Sequence, residues 1–212
     1  MGSVRQGRLA VVLLALFLFG SLLQVGASRS MSSYQRPEGI MDVPTFDAAL
    51  RQVSPEVTDI IRKNGIFVKD GIVDSNEKTM ALSVAERFPE PTEYVLANQQ
   101  NKAIVASENG ASRSFSKSLR TEDLVVYFNN QPVSEISEVF IVSELGVEMA
   151  SAFLSYVPHR SFGVYLFDSS EDRNKISPYE VHYPNIYVWY THGESSLKEF
   201  LIHELTHMVA YE

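Results

Sequence analysis

The sequence predicts an α+β fold, and three observations lead there. β-rich runs occur at Asp123–Asn129, Phe162–Ser169 and Asn185–Tyr190; a long apolar-periodic stretch, Ser134–Pro158, separates the first two; an amphipathic run from Leu197 to Tyr211 closes the chain. Composition suits a globular protein: 45% hydrophobic and 21% charged over 212 residues, room for one domain of ordinary size or two small ones. There is no internal repeat.

Residues 1–27 read as a secretory signal peptide. Arg5 and Arg8 supply a positive start, Leu9–Val25 is an apolar run without a charge, and Val25-Gly26-Ala27 offers small residues for cleavage after Ala27. Left uncleaved, the run would be a short membrane anchor, so membrane association is confined to this segment. The expected product is secreted or extracytoplasmic. Gly2 does not make a myristoylation site, because Gln6 stands where that motif needs Ser or Thr.

The formal charge of −8, with no lysine- or arginine-rich run, excludes a nucleic-acid surface. The chain has no cysteine. Disulfides and thiolate-ligated zinc are thereby excluded, and any metal must use His, Asp or Glu.

Residues 28–44, rich in Ser, Pro and Gly, read as a linker. Residues 45–131 follow as a small α+β region, open as prodomain, accessory domain or part of one fold. Thr45–Gly65 predicts two helical pieces around Pro55 with a stop at Asn64-Gly65. Ile66–Val73 predicts a short strand with a turn at Asp70-Gly71, Glu93–Ser107 a hairpin, and Asp123–Asn129 a strand. Asp70, Asp74, Glu90 and Glu93 read as solvated charges.

Residues 132–212 carry the chemistry. Ser134–Pro158 predicts a helix, Phe162–Ser169 and Asn185–Tyr190 two strands, and the segment between those strands a polar loop. Ser196 with Glu199 has the form of a capping box opening the last helix. Within it lies HELTH, His203 to His207. On a helix the two histidines differ by roughly 40°, so their imidazoles can share one metal ion. Glu204 lies roughly 100° from His203, placed to take a proton from water rather than to join as an equivalent ligand. Leu201, Leu205, Met208 and Val209 form the apolar stripe, with the histidines roughly 160° from Leu205. Chance alone yields HExxH in about one chain of this length in a few hundred; the helix start, the apolar back face and the strand just before it argue against chance.

With those residues in view, Ser134–Glu212 resembles the N-terminal half of a zincin metallopeptidase catalytic domain, most closely the gluzincins, including the lethal-factor-like peptidases. The matching elements are Glu135–Tyr156, Gly163–Phe167, Ile186–Trp189 and Leu197–Tyr211. The resemblance implies a zincin-like half-domain of long helix, short mixed sheet and active-site helix. It further implies Zn2+ as cofactor, held by His203 and His207 as neutral imidazoles, with Glu204 as general base. A peptide or protein would be the substrate, lying along Asn185–Tyr190 if that strand has a free edge. For Tyr187, Trp189 and Tyr190 strand packing is the simpler expectation. The metzincin extension is absent, since Ala210 stands at its glycine.

A catalytic zinc takes three protein ligands. On a continued helix Glu212 would sit about 20° from Leu205, away from the histidines. His159, Asp168, His182, His192 and Glu194 read as loop or surface residues. The expectation is therefore a secreted zinc-dependent peptidase whose third ligand lies beyond Glu212. Two competitors are a non-catalytic secreted binding protein retaining this half-domain and an adhesion protein with a chance motif.

Overall fold

The computed structural model describes residues 39–67, 71–108, 111–176, 181–189 and 197–212. The expected signal peptide at 1–27 and most of the expected linker at 28–44 lie outside them. The linker's last residues are ordered: Met41–Asp42 (β1) pairs antiparallel with Ile72–Val73 (β2), and Asp42 caps helix α1 (Val43–Val53).

Helix α2 (Pro55–Lys63) follows directly. The break falls at Ser54, whose hydroxyl accepts from Val57 N–H at 3.0 Å while donating to Pro89 O at 2.6 Å. Asn64-Gly65 ends α2 as expected. Gly65 adopts φ 59°, its N–H bonds Arg62 O, and Ile66 N–H reaches back to Ile61 O at 3.0 Å. Of the strand expected over Ile66–Val73, Ile66 and Phe67 complete this turn and Ile72–Val73 form β2; Asp70, in the expected turn, lies outside the described residues.

Two helices stand where sequence reading gave none or a hairpin. In α3 (Ser75–Arg87), Asp74 accepts from the Asn76 and Glu77 amides while Glu77 accepts from the Asp74 amide. Asp74, exposed as expected, is thus also half of a capping box. Helix α4 (Pro91–Asn98) takes the first half of the expected hairpin. Proline at its first turn suits a helix start, Val95 is buried, and Tyr94 stacks on Phe140 at 5.5 Å. The hairpin itself lies further on, between β3 (Gln100–Glu108) and β4 (Ala111–Arg120).

The main sheet has the order β3-β4-β5-β6-β8-β7, with β5 (Leu124–Phe128), β6 (Phe162–Phe167), β7 (Val181–His182) and β8 (Asn185–Trp189). β5, β6 and β8 run parallel and the flanking pairs antiparallel, so the fold is mixed α+β as expected. The segments 45–131 and 132–212 share this sheet through the β5–β6 pairing, within one unit, Glu38–Glu212. The polar segment after β6 contains a short helix, α6 (Ser170–Ile176), whose Arg173 and Ile176 are buried against the sheet.

Between β5 and β6 runs α5 (Val133–Leu154), buried on all sides from Glu135 to Val147. It packs against α2, α3, α4, β5 and the last helix, α7 (Leu197–Tyr211). It ends at Ser155 in the left-handed region, φ 52°, ahead of Pro158. Gly146 lies at the α5–α7 contact. A Cβ there would stand 2.8 Å from Leu205 Cδ1 and 3.5 Å from Ile202 Cα. Glycine inside a helix costs roughly 1 kcal/mol relative to alanine, offset here by the close approach of α7.

Gly146→Val should therefore lower stability by about 1–3 kcal/mol through overpacking. Denaturant unfolding of a double-mutant cycle with Leu205→Ala should show a coupling above about 0.5 kcal/mol. Simple additivity would contradict the contact.

Candidate metal centre

Helix α7 has the two-faced character the sequence requires. Leu201, Leu205, Met208 and Val209 are at most 2% exposed, each such burial contributing about 1.5–3 kcal/mol. On the other side His203 is exposed, and Glu204 and His207 are half-buried. Ser196 and its capping box lie outside the described residues.

The two imidazoles converge. His203 Nε2 and His207 Nε2 are 3.1 Å apart, and one Glu204 carboxylate oxygen stands 4.0 Å from His203 Nε2. His203, Glu204 and His207 form a group whose donor atoms lie within 4.8 Å of one another. A zinc ion about 2.05 Å from each nitrogen would see the 3.1 Å pair at about 100°, close to tetrahedral. Without an ion, one ring can donate a hydrogen bond to the other. Burial, and secondarily the neighbouring His203 charge, push the His207 pKa down. Both effects favour the neutral imidazole that metal ligation needs.

Glu212 is engaged elsewhere. Its carboxylate accepts from the His159 N–H at 3.1–3.2 Å and pairs with Arg160 Nε at 3.3 Å, tying the end of α7 to the loop after α5. Of the other candidates, the His159 ring packs on Tyr156, Asp168 accepts from Gln131 Nε2 at 2.8 Å, and His182 sits on β7. His192 and Glu194 lie outside the described residues. Among the described residues, no further His, Asp or Glu joins the group on α7.

The outer side of β8 is partly covered. β7 pairs with Asn185 and Ile186 of β8. Tyr187 is buried with Phe115, Phe167 and Ile176, and the Arg173 guanidinium lies 4.5 Å above the Trp189 ring. These two aromatics thus serve strand packing; Tyr190 lies outside the described residues. No helix among the described residues is long and apolar enough to cross a membrane.

Comparison with protein-family models, with curated proteins and with solved structures finds no match.

By NMR, the His207 ring should lose its proton below the ordinary histidine value of 6.5. His203→Ala should move that midpoint upward by removing the like charge. An unchanged midpoint would show that the rings do not face each other.

Proposed function

We propose that this chain is a secreted zinc-dependent peptidase, a zincin of gluzincin-like type, acting through HELTH. The observation that carries the reading is the convergence of His203 Nε2 and His207 Nε2 to 3.1 Å on the solvent face of an otherwise core-packed helix. Histidines serving the core would lie in the stripe with Leu201 and Leu205. The long helix behind α7 and the mixed sheet belong to an α+β fold, the class the reading needs. The charged start and apolar run of residues 1–27 support export.

In this reading His203 and His207 hold the ion. Zinc supplies Lewis acidity, lowering the pKa of water and polarising a carbonyl oxygen. Glu204 takes the proton from the attacking water and returns it to the departing amine. One Glu204 carboxylate oxygen stands 4.0 Å from His203 Nε2, beside the ligand pair. A substrate peptide would bind in extended form. A third ligand would come from outside the described residues.

Titration calorimetry of the full chain with zinc should give one ion per chain, with binding lost in His203→Ala and His207→Ala. Peptide hydrolysis should fall about 10²–10⁴-fold in Glu204→Gln, with zinc binding retained. Binding that ignores both histidine substitutions would overturn the reading. Two described ligands instead of three favour a second one, a secreted zinc-binding module without turnover. Stoichiometric zinc with no hydrolysis would select it.

A further inference from the structure

The donor pair on α7 supplies fewer ligands than zinc takes. His203 and His207 give two nitrogens, and the remaining member of their group among the described residues, Glu204, is the base of the proposed reaction. Zinc sites that only bind close at four ligands, whereas catalytic sites keep one position open. The pair also faces outward. His203 is exposed and His207 half-buried, while Leu201, Leu205, Met208 and Val209 anchor the same helix from behind. Two nitrogens held 3.1 Å apart on such a surface can be reached by an ion that already carries other ligands.

We propose that, when zinc is scarce, two copies of this chain share one ion through their α7 helices, each giving His203 and His207. The inference rests on the zinc reading and adds to it the partner and the regulation of that site. Each pair spans about 100° at the ion, near the tetrahedral angle. Two pairs set at right angles therefore complete a four-nitrogen shell about a two-fold axis, with the same patch used by both copies. The charges agree. One Glu204 carboxylate oxygen stands 4.0 Å from His203 Nε2, so each copy brings one acid beside the ion, and two carboxylates balance Zn2+. One turn past His207, Tyr211 is 68% exposed and offers a large ring at the rim of the contact. Without the ion the two chains, each of formal charge −8, repel one another. Pairing is thus ion-dependent.

The consequence is a switch set by the ratio of zinc to protein. In the shared shell every position is taken by imidazole, and no place remains for the water that Glu204 would deprotonate. As zinc rises above one ion per chain, mass action gives each copy its own ion and reopens that place. The paired form is a stored, inactive state; the single form is the competent one.

The test is light scattering of the full chain, stripped with a chelator and then given zinc at none, half and several equivalents. Relative to the zinc-free protein, the mass should double at half an equivalent, with half an ion bound per chain, and fall back in excess zinc. His203→Ala and His207→Ala, both on the solvent side of α7, should keep the zinc-free mass at every ratio. Zinc bound at one per chain with no change in mass would overturn the pairing and leave the zinc reading standing. No bound zinc would sink both. Doubling that survives either histidine substitution would put the bridge elsewhere and overturn the proposal.

Discussion

The arrangement of the histidine helix depends on the missing side chain at Gly146. Because nothing projects from α5 there, Leu205 of α7 sits directly against its surface, and α7 commits one whole face to the core. The opposite face is then free of packing duties and can present His203, Glu204 and His207 to solvent. A bulkier residue at that point would push α7 outward, uncovering Leu201 and Leu205. The polarity of the site is thus a consequence of steric fit on its far side.

The same logic of two covered faces runs through the sheet. Parallel strands need cover on both sides. Helices supply one layer over Val126, Val164, Leu166, Ile186 and Val188. On the other side Tyr127, Tyr165 and Tyr187 occupy one register row across β5, β6 and β8, with ring centroids 4.5 and 5.2 Å apart. Helix α6 closes the end of this layer with Ile176 and with Arg173 over Trp189. β8, which runs toward α7, is thereby held on both sides of its length.

Pattern made the strongest elements legible. The run ending at Pro158 stands out by its length and apolar content, the strands at Phe162 and Asn185 as short β-rich runs, and the stripe through Leu205 by its period. Short helices escaped for the opposite reason. α4 spans Pro91–Asn98, too few residues for a period to show, and its Tyr94 and Val95 read as β-prone until Phe140 is there to receive them. α6 looked like a loop because its contacts are made by one arginine and one isoleucine. The capping box at Asp74 and Glu77 was readable, since Asp-x-x-Glu carries its own mechanism. Of the site, the spacing of the histidines is local and was fully encoded; ligands brought from other elements are not.

That locality has a consequence for how the chain acquires its structure. A donor pair written into a single helical turn becomes available once that turn exists, before any strand has found its neighbour. An ion that takes both nitrogens would bridge successive turns like a clasp, favouring helix over coil in a segment of few residues. Folding of α7 and capture of such an ion would then be two views of one equilibrium, each drawing the other forward.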